Sequence, residues 1–128
     1  MHHIGAVAER TGLSLRTLRH YDEVGLLRPS ARSEGGFRLY TEPDVERLLL
    51  IRRMKPLGFS LDEMADLLRV ADELGAEGAG QDGVGADEGR PAARDRLAAY
   101  VAAAEERRAD LARKLEMADE LIALLHRL

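Results

Sequence analysis

The last third of the chain carries apolar residues in a repeat of seven. Two sets of positions, each spaced by seven and offset from one another by four, form this repeat: Leu97, Ala104, Leu111, Ala118 and Leu125, then Val101, Arg108, Leu115 and Ile122. Together they make one a/d seam over four heptads, which predicts a long helix in a coiled coil. Because the rest of the chain is too short to bury such a seam, we expect a second copy of the helix to cover it.

A glycine-rich stretch separates this helix from the rest of the chain. Residues 75–91 hold six glycines and one proline and show no apolar period. This composition is typical of a flexible, solvated linker. We therefore expect a compact domain at residues 1–73, a linker at residues 74–91 and a dimerisation helix at residues 92–128.

The charge of the chain is unevenly distributed. The net charge is −4, yet residues 1–60 carry ten Lys and Arg against seven Asp and Glu, whereas residues 61–128 carry nine against sixteen. The acidic balance thus belongs to the C-terminal half and does not exclude a nucleic-acid partner for the first half. No cysteine, signal peptide or apolar run long enough to span a bilayer is present, so we expect a cytoplasmic protein without a membrane partner.

The first 25 residues predict two short helices joined by a tight turn. Ile4, Val7 and Ala8 share one helical face, and Gly12 can end that helix. Ser14 is suited to cap a second helix at residues 15–24, which Gly25 ends. Two short helices so closely joined indicate a helix-turn-helix.

Residues 26–68 predict a small hairpin followed by two further helices. The hairpin turns at residues 33–36, and its two strands are too few to be stable unless they pack on the helices. Thr41 caps a third helix that runs to Gly58, with Pro43 in its first turn. Ser60 begins a capping box for a fourth helix, whose inward residues are expected to be Leu61, Met64, Leu67 and Leu68.

Two segments, "IGAVAERTGLSLRTLRHYDEVGLLRP" and "SEGGFRLYTEPDVERLLLIRRMKPLGFSLDEMADLL", together resemble the MerR family of bacterial transcription regulators. The resemblance runs from about Ile4 to Leu68 and keeps the order of parts. It implies a mainly α fold: a winged helix-turn-helix domain with a small β-hairpin wing, followed by a long C-terminal helix that forms an antiparallel dimeric coiled coil. It also implies a homodimer that binds a palindromic operator and distorts promoter DNA so that RNA polymerase can use it.

The second helix is then the recognition helix. Helix-turn-helix proteins present the N-terminal side chains of this helix to base edges, and the same side chains can instead hold phosphates. The expected contacts are Ser14, Arg16, Thr17, Arg19 and His20. For Tyr21, two interpretations stay open: a core ring, or a ring whose hydroxyl reaches a phosphate.

The hairpin and the third helix supply further expected contacts. Arg38 and Tyr40 lie two apart on the returning strand and should face the DNA, whereas Phe37 and Leu39 should face the helices. Arg32 on the outgoing strand can join them. Arg52, Arg53 and Lys55 form a basic cluster in which one or two residues should contact phosphates, the alternative being solvated charges.

The sequence predicts neither catalysis nor a cofactor. It lacks a nucleophile–base pattern, a phosphate loop and carboxylates paired at a distinctive spacing. His2 and His3 are not expected to bind metal, because no further ligand completes a set. Three modes of regulation stay open: a ligand between the coiled coil and the fourth helix, modification of or binding to the linker, or control by abundance. The alternative function is an architectural or adaptor coiled-coil protein that acts with a partner.

Overall fold

The computed structural model describes residues 1–79 and 90–128, with side chains at residues 1–75 and 92–128. It is mainly helical and forms two units, residues 1–68 and 69–128. Its elements, in chain order, are β1 (His2–His3), α1 (Ile4–Thr11), α2 (Leu15–Glu23), β2 (Ala31–Arg32), β3 (Arg38–Tyr40), α3 (Glu42–Met54), a 3-10 turn (Lys55–Leu57), α4 (Leu61–Ala79) and α5 (Arg90–Arg127). The predicted fold of helix-turn-helix, small hairpin and long C-terminal helix is confirmed.

The turn between α1 and α2 has the predicted chemistry. Gly12 has a φ of 73°, in the left-handed region that favours glycine, and its N–H donates to the Ala8 carbonyl at 2.9 Å. The Ser14 hydroxyl accepts from the Thr17 N–H at 3.0 Å and so caps α2. Val7 of α1 and Leu18 of α2 are both buried, and the two helices contact each other.

The sheet has three antiparallel strands in the order β1-β3-β2, one more than the sequence predicted. The predicted turn is present, because the Gly36 N–H donates to the Ser33 carbonyl at 2.9 Å. The additional strand, β1, pairs His2 with Tyr40. Two residues are too few to show a strand period, so the sequence could not indicate this strand.

The predicted cap of α3 and the predicted capping box of α4 are both formed. Thr41 and Asp44 cap α3 reciprocally, and Ser60 and Glu63 cap α4 in the same way. Val45, Leu48 and Ile51 of α3 are fully buried, and Met64 and Leu68 of α4 join the core of the first unit. The expectation that Leu61 faces inward is wrong: it is 41% exposed, because it is the first residue of α4 and lies at the edge of the core.

Helix α4 continues to Ala79, past residue 74, where the linker was expected to begin. The Ala, Glu and Leu residues of this stretch have high helix propensity, which offsets the cost of Gly75 and Gly78. Helix α5 begins at Arg90, one residue before Pro91, which suits the first turn of a helix. The rest of the expected linker, residues 80–89, lies outside the described residues.

In the second unit, Val70 and Ala93 are buried, whereas most of the predicted seam of α5 is exposed. Leu111, Leu115 and Ile122 each have about half or more of their surface exposed in this single chain. An uncovered apolar seam is what a coiled-coil helix presents without its partner. Among the described residues, no helix is both long and apolar enough to cross a bilayer.

Candidate nucleic-acid interface

Helix α2 exposes a polar, mostly cationic face and buries the opposite one. Leu18 and Tyr21 are buried, whereas Arg16, Arg19 and His20 are exposed. This difference arises because the inward residues lie three positions apart and so fall on one side of the helix. The predicted base-reading face is therefore accessible.

The hydroxyls of Ser14 and Thr17, two of the predicted contacts, are already hydrogen-bonded. The Ser14 Oγ lies 2.8 Å from the Thr17 Oγ1 and also caps the helix. Both side chains thus fix the first turn of α2. Any contact with a phosphate would add to that structural role.

A cleft of about 580 Å³ opens beside α2. Seven residues line it: Arg16, Thr17, Arg19, His20, Tyr21, Glu23 and Lys55. Two arginines and one lysine outnumber the single carboxylate, so the cleft favours an anion. The structure brings Lys55, from the turn after α3, to the same cleft as the recognition helix.

The wing arginines are paired with a residue that the sequence did not single out. Arg38 Nε donates to Asp22 Oδ2 at 2.7 Å, and Arg32 Nη2 donates to the same oxygen at 3.1 Å. The Asp22 side chain is only 12% exposed. The hydrogen bond to Asp22 is the main cause of a raised pKa of the Arg38 guanidinium. Both arginines were expected to face phosphates, and here both face α2.

The predicted orientation of the returning strand is wrong. Tyr40 is fully buried and Phe37 is 68% exposed, the reverse of the expectation. Arg38 and Tyr40 do share one face, but this face is directed at the helices, where Arg38 contacts Asp22. Phe37 precedes β3 and belongs to the turn, so strand alternation does not apply to it.

The hydroxyls of Tyr21 and Tyr40 are buried, and neither has a hydrogen-bond partner in the described part of the chain. Burial raises the pKa of both phenols. Tyr21 also lines the cleft, so its ring belongs to the core while its edge lies beside the cationic residues. The buried hydroxyl favours the interpretation of Tyr21 as a core ring, and a contact of that hydroxyl with a phosphate stays a prediction.

The three residues of the basic cluster at the end of α3 have different neighbours. The Arg52 guanidinium lies beside Gly12. A Cβ added to that glycine would be 3.4 Å from the central carbon (Cζ) of the guanidinium. Arg53 Nη1 donates to the Leu49 carbonyl of its own helix at 3.4 Å. Of the three residues, Lys55 alone lines the cleft beside α2.

Sequence reasoning also missed a surface cluster around Glu42. The Glu42 carboxylate accepts from Arg10 and lies 2.5 Å from His2 Nε2. The hydrogen bond from Arg10 is the main reason that the pKa of Glu42 falls to about 2. His2 is thus engaged by a carboxylate, and the described residues contain no group of three potential metal ligands. Glu42 lies 32 positions from Arg10 and 40 positions from His2 along the chain, so no local pattern in the sequence could indicate these contacts.

Known proteins resemble this chain in sequence and in fold. Residues 3–70 match the MerR HTH family of regulatory proteins. The HTH-type transcriptional activator mta of Bacillus subtilis is 52% identical over 62 residues, which cover 48% of this chain and 24% of the relative. The HTH-type transcriptional activator TipA of Streptomyces coelicolor is 51% identical over 65 residues, which cover 51% of this chain and 26% of TipA. The match thus spans only about a quarter of these two relatives.

Two solved structures extend the similarity to nearly the whole chain. The N-terminal part of the Bacillus subtilis multidrug transporter activator, MtaN, is 33% identical with a TM-score of 0.58, over 99% of this chain and 96% of that one. A MerR family regulator lacking the sensor domain and bound to promoter DNA, HiNmlR, is 26% identical with a TM-score of 0.67, over 98% and 90%. With the family match covering more than half of its residues, the chain belongs to the MerR family of helix-turn-helix regulatory proteins.

Proposed function

We propose that this protein is a sequence-specific DNA-binding regulator of transcription. The observation that carries the proposal is the cationic cleft beside the exposed face of α2, which combines Arg16, Arg19 and Lys55. A recognition helix lies in the major groove, and nearby cations bind the phosphates on either side of it. The relative that was solved on promoter DNA supports the same use of this fold.

The regulator acts as a homodimer on a palindromic operator. Support for the dimer comes from the exposed apolar seam of α5, which a second copy in antiparallel orientation would cover. A dimer with two-fold symmetry presents two recognition helices to two half-sites related by the same symmetry. The palindrome therefore follows from the dimer.

Binding distorts the promoter and thereby controls its use by RNA polymerase in the cytoplasm. A bend costs energy that additional protein–phosphate contacts can offset. The wing and Lys55 lie outside the recognition helix and could supply such contacts on the flanking backbone. The protein acts by binding, without a catalytic step of its own.

Footprinting on the DNA upstream of its own gene tests this function. The full chain should protect a near-palindromic site of two halves, and affinity should fall steeply as salt rises. DNA of the same length and scrambled sequence is the control. Equal affinity for both DNAs would contradict a sequence-specific regulator. A monomer at the concentration that protects the site would contradict the dimer.

A further inference from the structure

A single carboxylate oxygen joins the wing to the recognition helix. Arg32 and Arg38 are directly opposite each other on β2 and β3. Like charges in this position destabilise a strand pair unless another group neutralises them. Asp22, on α2, accepts from both guanidinium groups through the same Oδ2, at 3.1 and 2.7 Å. The wing therefore depends on α2 for the compensation of its own charges.

We propose that Asp22 is a positioning residue for DNA recognition, which holds the two wing arginines in place beside the recognition helix. This inference rests on the proposed function. Asp22 takes only one of the five N–H groups of each guanidinium, so both arginines retain donors for phosphate oxygens. Arg32 is oriented further by a hydrogen bond from its Nη1 to the Gly36 carbonyl at 3.2 Å. A planar donor group held at two points is preorganised for a phosphate.

This role predicts that neutralising Asp22 changes DNA affinity in the direction opposite to the one expected from its charge alone. DNA repels a carboxylate, so the loss of one negative charge near the interface should by itself strengthen binding. If Asp22 positions the wing, its neutralisation should weaken binding, because two arginines lose their orientation. Glu34, an exposed carboxylate at the turn of the same wing, provides the matched control for charge alone.

The first experiment compares Asp22→Asn and Glu34→Gln with wild type in the full chain, on the DNA that wild type protects. Asp22→Asn should weaken binding about tenfold, as expected for oriented charge-assisted contacts. It should also lower the slope of affinity against salt by about one for each phosphate that the wing no longer binds. Glu34→Gln should bind as tightly as wild type or more tightly. If Asp22→Asn behaved like Glu34→Gln, the inference would be wrong.

The second experiment repeats Asp22→Asn in a chain that already carries Arg32→Gln and Arg38→Gln. Asp22 then has no wing arginine to position, so its neutralisation should leave binding unchanged or strengthen it. This set of variants also serves if Asp22→Asn alone does not fold, because it contains no unpaired wing arginine. A loss of affinity in this background as large as in wild type would show that Asp22 acts through other contacts.

A third measurement needs no DNA and separates this inference from the proposed function. Hydrogen exchange of the Ser33 and Gly36 amides, which are bonded within the wing, should accelerate in Asp22→Asn. Unchanged exchange would overturn the inference even for a chain that binds its operator. Conversely, a wild-type chain that ignores its promoter would refute the proposed function, while accelerated exchange would still support the link between α2 and the wing.

Discussion

Glu42, the first residue of α3, links the N-terminal strand and helix at the surface through His2 and Arg10. Its pKa falls from 4.5 to about 2, mainly because Arg10 donates to it. A folded-state pKa below the unfolded one means that this pairing stabilises the fold above pH 4.5, and that the stabilisation is lost as the pH falls towards 2. We predict that Glu42→Gln is less stable than wild type near neutral pH, by a difference that shrinks between pH 4.5 and 2.

Urea denaturation over this pH range measures that difference. Glu46→Gln, on the same helix, is the control, because Glu46 is exposed and forms no hydrogen bond or salt bridge in the described part of the chain. A difference between Glu42→Gln and wild type that stays constant down to about pH 2 would show that the carboxylate contributes through packing instead of charge.

Tyr40 and Tyr21 are a matched pair of test positions, because each buries a hydroxyl that has no hydrogen-bond partner among the described residues. Burial of an unpaired hydroxyl is unfavourable, so Tyr40→Phe should leave stability unchanged or raise it by about 1 kcal/mol, and DNA affinity should not fall. Tyr21→Phe should have the same effect on stability and should leave DNA binding unchanged, because it removes only the buried hydroxyl and keeps the ring at the cleft. Thermal unfolding and DNA titration measure both effects. A loss of affinity in Tyr40→Phe alone would mean that the wing opens when it binds.

Local spacing predicts which residues share a face but not which face is buried. The alternation that places Arg38 and Tyr40 together was correct, and their expected direction was wrong. The direction depends on Asp22, which is 16 residues from Arg38 along the chain. As a carboxylate in a proposed DNA-binding helix, Asp22 had no expected role until its two partners were visible.

At the scale of elements, the ends of helices were predictable because their chemistry is local. Ser14, Thr41 and Ser60 each accept from a backbone N–H three residues on, so the cap and its donor can be read in one short stretch. The strand β1 was not predictable in this way, because its existence depends on a partner near residue 40.

Helix α5 offers two apolar residues of similar exposure, one on the proposed seam and one outside it. Leu115 is 64% exposed and Met117 is 70% exposed in this single chain, but Leu115 is a seam residue and Met117 is not. If a second copy covers the seam, Leu115→Ala should destabilise the dimer by about 2 kcal/mol or more per chain, whereas Met117→Ala should change it by about 0.5 kcal/mol or less. Sedimentation equilibrium measures the dissociation constant of the dimer. Equal effects of the two substitutions would contradict the assigned seam.

At the scale of the whole molecule, the distribution of charge matters more than its sum. The chain has a net charge of −4, yet the cleft beside α2 contains three cations and one carboxylate. Phosphates within a Debye length of about 8 Å experience the local groups and are largely screened from the acidic remainder at physiological salt. An acidic regulator can therefore bind DNA, provided that its cations are concentrated where the DNA lies.

A two-fold dimer doubles every contact with the DNA backbone, which makes the stoichiometry of a phosphate contact measurable. Each contact contributes about 0.9 to the slope of log affinity against log salt. Because Lys55 lines the cleft, Lys55→Gln should lower the slope by about two on a full operator and weaken binding to all DNA sequences alike. Arg53→Gln is the matched control, since Arg53 donates to its own helix and lies outside the cleft. If Lys55→Gln lowered the slope by only one on the full operator, Lys55 of a single copy would contact the DNA. An equal effect of Arg53→Gln would mean that the end of α3 as a whole, and not Lys55 in particular, contacts the phosphates.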